Sequence, residues 1–161
     1  MPDRNTLRPA EVISGKEGDV YVKINGNRYH YMHLVDIEAI LEYSKGDVPI
    51  LGRLMDGHKI NGAKGTYKGK VYYRFSEERE VAEAFKNGGP APLMEIEITN
   101  LDQSTMAGVQ RAVLKDCMPD SVVLAKLAAG DEFLEEDFEG TFDDFEIPDK
   151  FDSNYDGYLE A

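Results

Sequence analysis

Apolar and polar side chains alternate with a period of two early in the chain, from Val20 to Ile24. The dipeptide Asn25-Gly26 follows, and aromatic residues return at Tyr29 and Tyr31. A period of two is typical of a strand with one buried face, and Asn-Gly favours the tight turn of a two-residue hairpin. The pattern therefore predicts an antiparallel β-hairpin here.

A second alternating segment runs from Val35 to Tyr43 and presents one apolar face, and Lys45-Gly46 is expected to turn the chain. The stretch from Gly52 to Gly69 contains five glycines and no sustained period. Loops of this length in a compact domain usually serve a function. We therefore expect a long functional loop within residues 52–69.

One helix is predicted after this region. Ser76 is placed to cap it, an acidic first turn suits its N-terminus, and Val81 and Phe85 share a face. The sequence Asn-Gly-Gly-Pro at residues 87–90 should end it.

Strand-like segments make up most of the remainder. They lie near Met94–Ile98, Val109–Val113, Val122–Leu127 and Asp137–Phe145. The fold class expected is mainly β with one helix (α+β), as an antiparallel β-sandwich or barrel in a single domain over residues 1–161. An N-terminal arm over about 1–17 and a C-terminal arm over about 148–161 would flank the domain.

Negative charge is concentrated at the end of the chain. The net charge is −13, and between Asp131 and Ala161 thirteen acidic residues face a single Lys150. Phenylalanines threaded through this stretch require burial, so we expect a strand with one acidic face rather than a solvated tail. Such a surface disfavours binding to nucleic acid or membranes. Candidates for the acidic face are Glu135, Asp137, Glu139 and Asp143.

The apolar positions change parity near Asp143-Asp144, which predicts a bulge or an end of strand pairing there.

Motifs for catalysis or cofactor binding are incomplete. Gly57 and Gly62 have the spacing of a phosphate-binding loop, but Ala63 stands where that loop requires lysine. Cys117 is the single cysteine and is expected to be a small buried residue beside a turn at Met118-Pro119. We expect no catalytic, cofactor or metal site.

Calcium binding is the nearest alternative among these motifs. Asp152, Asn154, Asp156 and Gly157 match the first half of an EF-hand loop, with Glu160 as a further oxygen donor. The glutamate that should close the loop at its twelfth position is missing from residues 1–161. A small calcium-binding module is therefore a minor hypothesis.

Three blocks of sequence resemble a known family. They are SGKEG at 14–18, GRLMDGHKINGAKGTYKG at 52–69 and GTFDDFEIPDKF at 140–151. The blocks look like segments of tail-tube proteins from contractile-tailed phages, of the PBSX-like defective prophage type. The similarity also extends to tube subunits of phage-derived R-type bacteriocins such as diffocins. A type VI secretion tube subunit is the second possibility.

The resemblance implies a structural subunit rather than an enzyme. Homohexameric rings would share an inner β-barrel and stack into a hollow tube inside a contractile sheath. The other partners implied are a tape-measure protein or passing DNA in the lumen, and baseplate and tail-terminator proteins at the ends. The subunit would assemble in the bacterial host cytoplasm and then reside in a phage tail or a released bacteriocin particle, without binding membranes itself.

The same resemblance implies a long loop over about residues 44–63 that contacts the neighbouring ring. The acidic face would meet either the lumen or the sheath. The candidate inter-ring residues are Leu54, Met55, Asp56, Gly57, His58, Lys59, Ile60 and Asn61.

Overall fold

The protein is described from a computed structural model, which covers residue 9 and residues 12–101 and 108–151. Within these residues the chain forms antiparallel strands and one helix, as the sequence predicts. In chain order the elements are β1 Gly18–Ile24, β2 Asn27–His30, β3 Leu34–Val48, β4 Gly57–Tyr72, α1 Glu77–Lys86, β5 Met94–Leu101, β6 Val109–Pro119, β7 Glu135–Phe142 and β8 Asp144–Asp149.

The strands form two layers that are connected through β6. The first layer has the order β2-β1-β5-β6-β8, and the second has the order β7-β4-β3. The end of β6 passes from one layer to the other, because Met118 and Pro119 pair with Thr141 and Gly140 of β7. This handover makes the two sheets one continuous hydrogen-bonded framework.

A single apolar core lies between the layers. Val22 and Ile96 come from the first layer, while Tyr67, Val71 and Phe138 come from the second. All five are at most 2% exposed. The period-two alternation places these side chains inward, and burying each stabilises the fold by about 1.5–3 kcal/mol.

The predicted hairpin of β1 and β2 is confirmed. Ile24 pairs with Asn27, which leaves a two-residue turn in which Asn25 has φ 50° and Gly26 has φ 88°. Positive φ at both central positions defines the type I′ turn, which Asn-Gly adopts at little steric cost. The local sequence therefore fixes this turn without help from distant contacts.

Helix α1 also lies where the sequence places it. Its end is confirmed at the glycines, since Gly88 has φ 91° and the Gly89 N–H donates to the carbonyl of Ala84 at 2.8 Å. One detail is wrong: Ser76 occupies the N-cap position but its hydroxyl makes no capping hydrogen bond. The acidic first turn still suits the positive end of the helix dipole.

The loop expected over 44–63 is replaced largely by strand. β3 continues through Lys45-Gly46 with only a bulge after Ser44, and Val48 pairs with Gly57. Only residues 49–56 lie between the two strands. Sequence reasoning missed the extension because four of the glycines in this stretch interrupt the apolar face of β4 without interrupting its backbone pairing.

Three smaller expectations near the C-terminus have different outcomes. Residues 122–127, expected as a strand, have no regular structure, and the Met118-Pro119 turn is instead the end of β6. The break near Asp143 is confirmed, because β7 ends at Phe142 and β8 begins at Asp144. β8 extends to Asp149, two residues into the stretch of about 148–161 predicted as a C-terminal arm.

Gly140 shows why glycine is needed where the layers meet. A Cβ at this position would collide with the backbone carbonyl oxygen of Met118 and would lie 2.7 Å from the Tyr67 hydroxyl. A larger residue would therefore force β6 and β7 apart at their handover.

Candidate assembly surfaces

The most prominent surface is the free end of the β3–β4 hairpin. β7 pairs with β4 only from Gly65 to Tyr72, so residues 44–62 project beyond the body of the sheet. We call residues 44–62 the hairpin tip. Both faces of the tip are solvent-exposed, and its large apolar side chains have no core to enter. Those at the exposed end are Val48, Ile50, Leu51, Leu54, Met55 and Ile60.

The candidate inter-ring residues all belong to this tip. Leu54, Met55 and Asp56 lie in the connection, and the segment from Gly57 to Asn61 begins β4. Leu54 is fully exposed and Met55 is 75% exposed. Exposed apolar side chains grouped at the end of a projecting hairpin are typical of an interaction site.

The candidate acidic residues do not all lie on one row. β7 turns the side chains of Glu136, Phe138 and Phe142 into the protein, which leaves Glu135, Asp137 and Glu139 on the outward face of the second layer.

Asp143 lies outside that row, in the break between β7 and β8, where its N–H donates to the carbonyl of Lys115 at 3.2 Å. The structure thus brings three of the four candidates together.

A row of lysines on β4 lies beside these acids, and sequence reasoning missed it. Lys68 is directly opposite Glu139, and Lys70 is opposite Asp137. On the other side of β4 a second acidic row follows along β3. The cross-strand pairs there are Asp36 with Lys70, Glu38 with Lys68 and Glu42 with Lys64.

The outward face of the second layer is therefore striped rather than uniformly acidic. In the described chain none of the ion pairs within 4 Å involves these lysines or the acids opposite them. The alternation of lysine with Gly65, Tyr67 and Gly69 along β4 was the available sequence signal. This spacing indicates a row of lysines on one face only once the stretch is known to be a strand.

The first layer carries a different outward face, on which charges are paired across strands. Arg111 Nη1 lies 3.3 Å from Glu97 and its Nε lies 3.1 Å from Asp149, while Lys115 Nζ lies 2.8 Å from Glu146. These pairs connect β5, β6 and β8. Cross-strand pairs of opposite charge typically contribute about 0.2–1 kcal/mol each.

Helix α1 is held against the layers by a buried polar cluster. The Tyr31 hydroxyl donates to Glu78 Oε1 at 2.7 Å, and Arg79 pairs with Glu136. Burial raises the pKa of Glu78 above its ordinary value, although the Tyr31 hydrogen bond opposes this shift. Burial also raises the pKa of Glu136, against the lowering effect of Arg79. The cluster is a structural clamp, since each of its carboxylates already has a protein partner.

Features suited to catalysis are weak in the described part of the chain. Cys117 is fully buried, and burial raises the pKa of its thiol to about 12, so it is a poor nucleophile at neutral pH. No cluster of three or more potential metal ligands occurs among residues 12–101 and 108–151. The calcium-loop candidates Asp152, Asn154, Asp156 and Glu160 lie outside the described residues. No described helix has the length and apolar character to cross a bilayer.

Comparison with known proteins identifies related sequences along most of the chain. A family profile described as "Phage tail tube protein" matches residues 5–149. The chain is 34% identical over 149 residues to the phage-like element PBSX protein XkdM of Bacillus subtilis (strain 168), covering 92% of this chain and 99% of that protein.

Solved structures share the fold at low sequence identity. A chain of the anti-feeding prophage baseplate has a TM-score of 0.62 at 13% identity, covering 88% of this chain and 97% of its own length. A chain of the sheath–tube complex of an extracellular contractile injection system in its extended state has a TM-score of 0.56 at 8% identity. The alignment covers 80% of this chain and 86% of that one.

Proposed function

Because the chain belongs to the phage tail tube protein family, we propose that it polymerises as hexameric rings into the inner tube of a contractile tail. The particle is a phage tail or a phage-derived R-type bacteriocin, and a sheath surrounds the tube. Neighbours of the same fold occur in contractile injection particles, which supports the contractile class. The subunit's role is structural, with no catalytic step.

The observation that carries this proposal is the free edge of the second layer. β3 is 15 residues long, lies last in its sheet and pairs only with β4. An edge of this length leaves a row of backbone N–H and C=O groups open to another chain. Pairing with the next copy around a ring satisfies these groups, and closure of the ring removes the edge altogether.

Closure through β3 also assigns the two layers to opposite walls. A barrel made by the second layers of successive subunits has one face covered by the first layers and α1. A hollow tube requires that this cover lie outside, so the striped face of the second layer lines the lumen. The ion-paired face of the first layer then lies toward the sheath.

The lumen proposed here is mildly rather than strongly acidic. Lys64, Lys68 and Lys70 partly offset the two flanking acidic rows. Passing DNA finds cations that are each flanked by carboxylates, so it gains few of the phosphate contacts that drive non-specific binding. A tape-measure protein can occupy the same channel before release. Assembly takes place in the bacterial cytoplasm, with baseplate and tail-terminator proteins closing the two ends.

Excision of the hairpin connection tests the proposal. Replacing residues 49–56 by Asn-Gly joins Val48 to Gly57 through a two-residue turn, which suits strands that already pair there. No buried residue is lost. We expect the shortened protein to fold with unchanged thermal stability but to form no rods in negative-stain micrographs, whereas the parent forms rings or hollow rods at high concentration.

A second variant, with the connection at its full length, tests whether assembly needs the apolar side chains of the connection as well as its length. The variant Leu51→Ser, Leu54→Ser and Met55→Ser keeps the connection but removes its exposed apolar surface, and it should also fail to form rods. A parent protein that stays monomeric at every concentration would refute the proposed function. Rods of normal length from the shortened protein would remove the tip from the assembly mechanism.

A further inference from the structure

The hairpin tip and a second exposed apolar surface lie at opposite ends of the second layer. The tip is at the Gly57 end of β4. At the other end the Tyr73 N–H donates to the carbonyl of Leu134 at 3.0 Å, which fixes the segment before β7 beside the end of β4. The distance from Gly57 to Val71 along β4 is roughly 46 Å at about 3.3 Å per residue.

This second surface is a groove of about 590 Å³ between the segment 123–133 and the start of β7. We call it the base groove. Phe133, which is 69% exposed, lines it together with Asp131 and Glu132. Leu127, 97% exposed, belongs to the same segment. Apolar side chains this exposed in an irregular segment point to an interaction surface.

The charges of the two ends are complementary. The tip carries three cations, Lys45, Arg53 and Lys59, together with Asp47 and Asp56. Arg53 and Lys59 make no ion pair within the described residues, and Asp47 is already close to His58 at 3.4 Å. The base groove is lined by five acidic residues, among them Asp131 and Glu132, and by Lys70 and Lys126, so its lining is net negative. The described chain offers Asp131 and Glu132 no cationic partner within 4 Å. Complementary potentials of this kind orient an encounter and fix its register.

We propose that the base groove of one copy receives the hairpin tip of the next copy along the tube. This inference rests on the proposed function and assigns the surface that the tip contacts. Leu54 and its apolar neighbours pack against Phe133 and Leu127, while Arg53 and Lys59 face Asp131 and Glu132. Because the two surfaces differ and lie at opposite ends, the contact is head-to-tail and extends indefinitely.

Disulfide cross-linking tests the contact directly. Leu54→Cys and Phe133→Cys are introduced into the full chain, and the assembled rods are oxidised and run on a non-reducing gel. Cys117 is fully buried and stays out of the reaction. Since each chain then carries one tip thiol and one groove thiol, we expect a ladder of covalent species that extends well beyond a dimer.

A matched control uses Leu54→Cys with Leu93→Cys. Leu93 is 48% exposed and precedes Met94. Met94 pairs with Cys117, and the next residue, Met118, pairs with β7 near its end at Phe142. Leu93 therefore lies near the level at which the tip leaves the body of the sheet, away from the base groove. This pair should give no ladder. Rods that form normally but show no ladder from the 54/133 pair would overturn the groove assignment and leave the proposed tube intact. Absence of rods from the unmodified protein would overturn both.

Charge exchange provides a second readout that changes only exposed residues. R53E with K59E should lower the amount of sedimentable polymer by about tenfold, because like charges then meet at the groove. Adding D131K with E132K on the same chain should restore polymer to within about threefold of the parent. Failure of the exchanged protein to recover, when both halves fold normally, would contradict the proposed pairing.

Discussion

The two halves of the β3–β4 hairpin have the same backbone pairing but serve different purposes. In the half that pairs with the body of the sheet, residues 34–43 and 63–72, inward side chains such as Tyr67 and Val71 enter the core. In the tip no side chain is buried, although the ladder of paired residues continues to Val48 and Gly57. Strand pairing alone therefore does not show which part of the hairpin stabilises the folded subunit. The part that packs against the first layer contributes the buried side chains, and the tip is available for contacts outside the subunit.

The largest difference between the halves should appear at Tyr67. Its ring is buried against Phe138 at a centroid distance of 5.2 Å. Tyr67→Ala should lower the free energy of unfolding by about 4 kcal/mol, because a large cavity replaces an aromatic ring. Urea unfolding followed by circular dichroism measures this change.

Tyr67→Phe is the matched control. The Tyr67 hydroxyl is buried and has no hydrogen-bond partner in the described structure. Removing an unsatisfied buried hydroxyl should leave stability unchanged or raise it by about 1 kcal/mol. A large loss in Tyr67→Phe would show that the hydroxyl has a partner in solution, such as a water molecule.

The next effect concerns the clamp that holds α1. The side chains of Arg79 and Glu136 are 15% and 7% exposed, so each charge depends on the other. Arg79→Ala should destabilise the protein by about 3 kcal/mol, because it leaves a buried carboxylate without its cation. The loss should shrink when Glu136→Gln is added, since the amide carries no charge. Equal losses in the single and double variants would contradict this account.

A smaller, pH-dependent effect is expected at Glu78. Burial raises its pKa in the folded state above the ordinary value of 4.5. The folded state therefore binds the proton more tightly than the unfolded state, so stability falls as pH rises from 4.5 through the folded-state pKa. Glu78→Gln keeps an acceptor for Tyr31 and removes this titration. Its stability relative to the parent should rise as the pH is raised from 4.5 to neutral in thermal melts; a constant difference would contradict the prediction.

These residues show how far the sequence can predict the structure. The β1–β2 turn and the end of α1 depend on local backbone preferences. Asn25-Gly26 and Gly88-Gly89 have such preferences, so both features can be predicted from the sequence. β4 depends on its neighbours, because Gly65 and Gly69 carry no strand signal and are needed where Phe142 and the backbone of Asp36 approach closely. The acidic row of β7 is visible in sequence. Its lysine neighbours are not, since register between distant strands sets them opposite each other.

The smallest effect should come from the ion pair in the tip. His58 Nε2 lies 3.4 Å from Asp47 Oδ1, with side chains that are 62% and 76% exposed. Exposed pairs typically contribute about 0–1 kcal/mol, and here no burial strengthens the attraction. His58→Ala should therefore leave the unfolding midpoint of the subunit nearly unchanged, in contrast to Arg79→Ala. A loss approaching that of Arg79→Ala would mean that the tip contributes to folding as well as to assembly, and the division between the two halves of the hairpin would fail.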